Sequence, residues 1–435
     1  MDVLRELEPL ATTPAAYVFA GFLGLLWGSF ANVCIYRWPP SEEFPKGRSV
    51  VAPGSHCFVC KTPIKWYDNA PIIAWLWLRG KCRSCKAPFS SRYLIVEALT
   101  GLLFALAWWF TVTVGAYFEP FDQRLIRFVI YAAFCFVMVV ITFIDIDHKL
   151  ILDKLTYPSI VIFFGLGFLL AGHPWYVGLI GAIAGYALPW AVGETYYLVA
   201  GRDGLGLGDA KLLALVGALL GVKGVVASLF GGALVGAVAG VLLLMRGTGG
   251  AKRGASSAVF AVVAMGVATF GAFTNRVVLG AVGSVAAIGA LVLSRRFAEP
   301  IDEAAADTSS ETGGGPDADA VPDAAGDSDA VGGKLLAARV MALVGAVFVL
   351  SAVTFELLSW HWGALGAGVM GIGLVFLATR MVPAPTEELA EEPPPEEGPS
   401  LMRTELPFGP FLALAAVVYL FAEPWILVNF RLPGG

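Results

Sequence analysis

Two aspartates stand where apolar runs meet water. Asp145 closes the run Leu125–Ile144, and Asp209 closes the string Gly206-Leu207-Gly208-Asp209 just before the next apolar stretch. An ionised carboxylate at the edge of hydrocarbon is costly, so each asks for a reason. Two carboxylates brought together cannot both ionise easily; one pKa rises and the pair shares a proton. One member can then act as base on a water while the other donates to a scissile carbonyl. That is aspartic peptide hydrolysis, with two coupled titrations. Lysines follow both acids, Lys149 and Lys211, which suggests one shared acid/base site where helices enter a membrane.

Neither string settles the matter alone. In Asp145-Ile-Asp147-His148-Lys149-Leu-Ile-Leu-Asp153, three acids compete for one role. Asp147 and Asp153 lie further into the loop, where charge at a solvated interface is the plainer reading. Gly206 and Gly208 remove side chains ahead of Asp209 and permit unusual backbone angles, which lets an extended peptide approach. Read by itself, Asp209 is equally well an ordinary helix N-cap after a glycine-rich loop. Acids near membranes also mark ion pathways, so a transporter or assembly scaffold stands as the alternative from another class.

Four of the six cysteines form a second pattern: Cys57-Phe-Val-Cys60 and Cys82-Arg-Ser-Cys85, separated by residues 61–81. A reducing cytosol disfavours structural disulfides. Two short-spaced thiolate pairs can instead close a tetrahedral zinc site, and Lys81 and Arg83 favour the thiolate form. A redox pair or bystander thiols are the alternatives. His56 is a possible substitute ligand but reads better as a loop residue. Cys34 and Cys135 fall in apolar runs and read as small packing residues. The loop is too short for a strong core of its own, so metal would supply its folding energy.

Composition says what must position these groups. The chain of 435 residues is 57% hydrophobic and 14% charged, with mean hydropathy +0.74; soluble globules carry roughly 25% charged residues. A polytopic membrane protein is indicated. About twelve spans are expected by the roughly 20-residue rule, near 15–36, 93–117, 124–145, 157–172, 175–199, 210–222, 224–245, 257–274, 276–294, 335–358, 361–381 and 407–428. Residues 1–14 carry Asp2, Glu6 and Glu8 against Arg5, the wrong charge for a cleavable signal. The formal net charge of −5 hides an asymmetry. Residues 298–333 hold ten acids and 383–400 six, with no Lys or Arg in either; the rest of the chain is left at +11. The loop Arg37–Arg92 has ten Lys/Arg against three acids. By the positive-inside rule this loop is cytoplasmic and the N-terminus lies outside. Counting spans forward puts Asp145 and Asp209 on the cytoplasmic side too. Nothing in the chain indicates nucleic-acid binding. The expected fold is all-α: a multi-helix membrane bundle with a small cytoplasmic zinc-binding domain, because helices satisfy their backbone groups within lipid.

Taken in order, these residues resemble a family, the bacterial prepilin peptidases or type IV leader peptidases. Gly28-Ser29-Phe30-Ala31-Asn32-Val33 and Ile35-Tyr36-Arg37 look like the family's opening. Cys57, Cys60, Asp68-Asn69-Ala70-Pro71, Leu78-Arg79-Gly80, Cys82 and Cys85 follow in family order, and Ser91-Arg92-Tyr93 with Val96-Glu97 close the domain. Asp145 then stands before a Leu/Ile-Pro-Asp element, in which this chain has Leu152 where proline is common, and Gly206-Leu207-Gly208-Asp209-Ala210-Lys211 supplies the second acid. The resemblance selects Asp145 and Asp209 as catalytic, with Gly206, Gly208, Lys211, Asp147 and Asp153 in support. It implies a bifunctional enzyme of the bacterial inner membrane that cuts the basic leader of type IV prepilins or pseudopilins after a Gly on the cytoplasmic face. It also implies methylation of the new N-terminus with S-adenosylmethionine. Spacing shows no methylation, and residues 37–92 contain no glycine-rich nucleotide loop. A peptidase without methylation is the alternative within the class.

The resemblance divides the chain into a first span (1–36), the zinc-binding domain (37–92), a peptidase core (93–246) and a final span with its tail (406–435), in which Leu406-Pro407-Phe408-Gly409-Pro410 looks like the family's last span. Between them residues 247–405 form an inserted block with four expected spans and the two acidic linkers, which read as disordered. Four is an even number, so the last span keeps its direction. The plain reading is an extension without chemistry; the sharper one is a dock for pilus or secretion assembly components. The other partners expected are the membrane lipids.

Overall fold

The computed structural model describes residues 8–114, 119–170, 173–200, 206–246, 370, 372–374 and 407–429. The inserted block's expected spans and both acidic linkers lie outside these residues apart from 370 and 372–374. Clustering of the backbone gives two units. The first is Met1–Tyr186, Gly208–Ser228 and Leu412–Gly435; the second is Ala187–Leu207 and Leu229–Phe411. The sites considered below belong to the first, apart from Gly206.

The described elements are helical: α1 Pro14–Arg37, a 3-10 turn Trp66–Asn69, α2 Ile73–Trp77, α3 Arg92–Trp108 with a π-turn Trp109–Thr113, α4 Phe121–His148, α5 Asp153–Gly167, α6 Trp175–Ala200, α7 Leu207–Arg246 and α8 Gly409–Asn429. Among the described residues, five stretches are long and apolar enough to cross a membrane: Pro14–Arg37, Arg92–Thr113, Phe121–His148, Trp175–Tyr197 and Leu207–Gly236. Four of them coincide with expected spans, and Leu207–Gly236 takes in the one expected at 210–222 and part of that at 224–245. The span expected at 407–428 falls on α8, whose apolar stretch Gly409–Ala422 is shorter, and the span expected at 157–172 is also not among the five. There α5 has 15 residues, about 22 Å at 1.5 Å per residue, against roughly 30 Å of hydrocarbon. Turn bonds from Leu169 N–H to Leu166 O and from Leu170 N–H to Gly167 O end it.

The first unit is built on close helix crossings. On α1, a Cβ at Gly24 would lie 2.7 Å from Phe104 Cβ, and one at Gly28 would lie 2.7 Å from the Cα of Glu97. Small residues here let α1 and α3 touch backbone to backbone, the usual device where lipid gives no hydrophobic drive for helices to pair. Gly181 and Gly217 do the same for α6 and α7, where added Cβ atoms would collide with the facing carbonyls.

The start of α7 is buried nearly all round: Leu212, Leu213, Leu215, Val216 and Ala218 have no exposure. A helix apolar on every face belongs at the centre. At Gly221 the backbone leaves helical geometry, with φ 65° and ψ −170°, a conformation open essentially to glycine. A Cβ on Gly217 would sit 2.8 Å from Val225 Cγ2. Residues eight apart in one straight helix would be about 12 Å apart, so the chain doubles back at Gly221. The break at Gly221 falls at the boundary between the two spans expected at 210–222 and 224–245.

Candidate active site and metal centre

Asp145 lies in the last turn of α4 and is 5% exposed. The helix ends three residues on, where Lys149 adopts the left-handed conformation (φ 50°) and its N–H closes on the Asp145 carbonyl at 2.8 Å. Asp209 is half-buried in the first turn of α7. It is a helical residue rather than the N-cap that its string alone would suggest. Gly208 permits the approach. A Cβ there would press on Ile151 at 3.3 Å, so the loop after α4 lies against the start of α7. The two carboxylates are close enough for the charge of Asp145 to act on Asp209.

The neighbouring acids are engaged elsewhere. Asp147 is paired with Arg92, whose second guanidinium nitrogen donates to the Phe143 carbonyl at 3.1 Å while the group stacks over the Phe143 ring. Asp153 accepts from Lys211 Nζ at 2.5 Å. Lys211 therefore serves the loop acid rather than Asp209, and also lies over the Tyr157 ring. Gly206 is exposed at the entry to α7. Of the residues expected at the site, Asp145, Asp147, Asp153, Gly208, Asp209 and Lys211 fall at the facing ends of α4, α5 and α7. Arg92, which clamps the last turn of α4, is the member that residue types alone did not single out.

The four cysteines converge, with Cys57, Cys60, Cys82 and Cys85 Sγ atoms all within 4.8 Å of one another. Cys57 Sγ to Cys85 Sγ is 3.7 Å and Cys60 Sγ to Cys82 Sγ is 4.0 Å. A tetrahedral centre with metal–sulfur bonds of about 2.3 Å needs sulfurs about 3.8 Å apart, so the donor set fits a metal. Two equivalent knuckles build it. In each, the N–H of the first cysteine reaches a carbonyl five residues on (Thr62, Ala87), a lysine in the left-handed region follows the second cysteine (Lys61, Lys86), and an antiparallel bridge closes the loop (His56 to Pro63, Lys81 to Pro88). This repeat of Cys-x-x-Cys-Lys-x-Pro at a period of 25 residues was visible in the sequence. His56 turns its Nδ1 toward the Gly54 carbonyl at 3.0 Å and is not among the converging ligands. Cys34 and Cys135 are buried in α1 and α4.

The thiols behave as a set competing for protons. Hydrogen bonding to Thr62 pulls Cys60 down to about 6, and the backbone of Cys85 and Ser84 pulls Cys82 below its ordinary value. At Cys85 the Ala87 backbone works downward, but burial and the other three thiols outweigh it and push it up to about 11. A divalent cation would remove that competition.

The module is tied to the helices. Arg37 donates to Ser49 O at 2.9 Å and to Pro53 O at 2.6 Å, and Lys154 on α5 donates to the Trp38 carbonyl; Asn32 Nδ2 on α1 donates to Tyr93 O on α3 at 3.1 Å, joining the two helices beneath it. Within it Arg83 bridges Asp68, Nε to Oδ2 at 2.8 Å and Nη2 to Oδ1 at 2.5 Å. Two cavities adjoin it among the described residues. One of about 210 Å³ lies between the module, α1 and α3, and its lining includes Ser29, Asn32, Trp75, Tyr93 and Glu97. The other, about 370 Å³, is lined by Arg48, Arg92, Asp147 and His148 among others. Asn32, Tyr36 and Tyr93 line both.

Comparison with known proteins identifies the family. Residues 22–111 match the bacterial peptidase A24 N-terminal domain, and residues 132–241 match the type IV leader peptidase family. The prepilin leader peptidase/N-methyltransferase of Neisseria gonorrhoeae is 36% identical over 255 residues, 53% of this chain and 83% of that protein. Its namesake from Aeromonas salmonicida (strain A449) is 37% identical over 54% of this chain and 84% of its own length. That from Stutzerimonas stutzeri is 35% identical over 55% and 86%. No solved structure matches. The chain belongs to the type IV leader peptidase family.

Proposed function

We propose that this multi-pass membrane protein is a prepilin leader peptidase and N-methyltransferase, with Asp145 and Asp209 as the catalytic pair. The observation that carries the reading is the sorting of the acids. Asp147 and Asp153 are held by Arg92 and Lys211, while Asp145 and Asp209 sit on separate helices within reach of each other's charge. A carboxylate pair of this kind shares a proton. The ionised member takes a proton from water as the water oxygen attacks the scissile carbonyl, and the protonated member donates to the carbonyl oxygen. Collapse of the tetrahedral adduct breaks the C–N bond, and the new amine takes up the transferred proton.

The substrate class follows from the relatives, which are named for prepilin leaders. The substrate's apolar helix would lie in lipid beside the spans, with its cut site at the wet ends of α4 and α7. The positive charge of residues 37–92 supports placing the module and both acids on the cytoplasmic side of a bacterial inner membrane, with the N-terminus outside. Residues 37–92 then form the zinc domain and 93–246 the peptidase core. Zinc suits the all-thiolate donor set; bound there, it crosslinks the two knuckles. S-adenosylmethionine supplies an activated methyl group when bound.

Incubating the purified protein with a prepilin-like precursor and S-adenosylmethionine, then weighing both products, tests the reading. A cut after the leader glycine and a mature product one methyl group heavier are expected. An uncut precursor refutes the peptidase, and a cut but unmethylated product refutes the second activity.

A further inference from the structure

We propose that the cavity between the cysteine module, α1 and α3 is the methyl-donor site, with Glu97 countering the sulfonium of S-adenosylmethionine and Trp75 donating to its adenosyl group. The inference rests on the methyltransferase half of the proposed function and gives it a place.

Three observations carry it. First, Glu97 is a carboxylate 9% exposed in a cavity wall. Its donors are the Ile72 N–H at 2.7 Å and the Ser29 hydroxyl, both neutral. A buried carboxylate held by neutral groups is a ready counter-charge for a permanent cation that must shed water. The Ile72 donor is itself unusual: its φ of 59° is rare for a β-branched residue.

Second, Trp75 Nε1 is buried with no hydrogen-bond partner. An orphaned indole N–H in a cavity wall asks for an acceptor, and the nitrogens and hydroxyls of an adenosyl group provide several. Gly80, at φ 65°, lies so close under the ring that a Cβ would come within 2.8 Å of Trp75 Cζ2, so the indole is held in place. Tyr36 and Tyr93 add aromatic surface for a purine or a sulfonium.

Third, the neighbouring cavity shares Asn32, Tyr36 and Tyr93 with this one and includes Asp147 and His148 in its lining, three residues or fewer beyond Asp145. An amine freed near the end of α4 would thus have a route toward the donor through the adjoining cavity. In the transfer, the lone pair of the neutral amine forms a C–N bond to the methyl carbon. The C–S bond breaks with its electron pair going to sulfur, leaving a neutral thioether, and the nitrogen gives up a proton to water. An α-amino group near pKa 7.7–8.0 supplies neutral amine at cytoplasmic pH.

The test is equilibrium dialysis of radiolabelled S-adenosylmethionine against the full-length protein in detergent. Parent, Glu97→Gln and Trp75→Phe are compared, each checked for metal content and melting temperature. Gln keeps an acceptor for Ile72, and Phe keeps the ring. Expected are affinity losses of about tenfold or more for Glu97→Gln and about threefold for Trp75→Phe. In the parent, the donor should also slow amide exchange in residues 70–78 and 93–97. Undiminished affinity in both variants, or protection confined to other segments, overturns the assignment while leaving methylation intact. A parent that cleaves but retains no donor overturns both this site and the methyltransferase reading, and leaves the peptidase standing.

Discussion

Lys211 Nζ donates to Asp153 Oδ1 at 2.5 Å, joining the first turn of α7 to the first turn of α5. The bond spans the mouth between the loop after α4 and the helix that carries Asp209. It occupies both the lysine that follows the second acid in sequence and the furthest acid of the first segment.

Replacing either partner should therefore loosen the site without removing its chemistry. Asp153 is 59% exposed and Lys211 17%, and a pair so open to water contributes on the order of 1 kcal/mol or less. Lys211→Met and Asp153→Asn are each expected to lower the rate of leader cleavage less than about tenfold, and the double variant should be no worse than the poorer single one. Loss of all cleavage in Asp153→Asn would move that residue into the catalytic pair.

Asp145→Asn and Asp209→Asn should each lower cleavage by about 10²–10⁴-fold, the usual worth of a positioned acid or base. Melting temperature and metal content should stay at parent values. Full cleavage by either folded variant would break the pairing.

Zinc should be found at one per chain by elemental analysis, and Cys57→Ser should abolish it. Because metal binding and folding of such a module are linked, amide exchange across 55–89 should accelerate in the variant. A folded, active parent free of metal would refute the ligand set.

Acid should act on the module through Asp68. Hydrogen bonding to Arg83 holds its carboxyl below the ordinary value. A group depressed in the folded state contributes stability above its unfolded pKa, near 3.9, and that contribution is lost as pH falls through the folded value. Amide-exchange protection in the module, taken relative to the intrinsic rate at each pH, should fall more steeply from pH 5 to pH 3 in the parent than in Asp68→Asn. Parallel pH profiles would show that the ion pair contributes nothing.

Gly221→Ala should cost about 1–3 kcal/mol, since φ 65° with ψ −170° excludes a side chain and the new methyl would press on Val177 Cγ1 at 2.6 Å. Thermal unfolding in detergent reads this directly. An unchanged midpoint would place the reversal of the chain elsewhere.

Much of the site was legible in the residues because it is local. Each Cys-x-x-Cys knuckle closes on backbone bonds within about eight residues, so four cysteines in two pairs sufficed to foresee a metal centre. Asp145 and Asp209 could be picked out because a carboxylate beside an apolar run is expensive wherever the chain later folds. The partners were not legible. Arg92 meets Asp147 across 55 residues and Lys211 meets Asp153 across 58, and no period or propensity links positions so far apart. Lys211 follows Asp209 in sequence, yet its ion pair is with Asp153. The span expected at 157–172 exceeded α5 because hydropathy continues through Phe168-Leu169-Leu170 while the backbone turns. The fold-back at Gly221 was half visible: the hydrophobic run broke near residue 223, but only the torsions place the break.

The bond from Ser228 Oγ to the Leu412 carbonyl, 2.7 Å long and fully buried, has a topological meaning. The chain departs from the first unit and rejoins it at two residues that touch, although 184 positions separate them in sequence. A detour that begins and ends at one point asks its host to bridge no distance, and lengthening such a loop adds only a slowly growing entropic cost. The first unit therefore tolerates sequence spliced in at this junction so long as the added spans are even in number, which makes it a natural port for grafting or excising membrane segments in pairs.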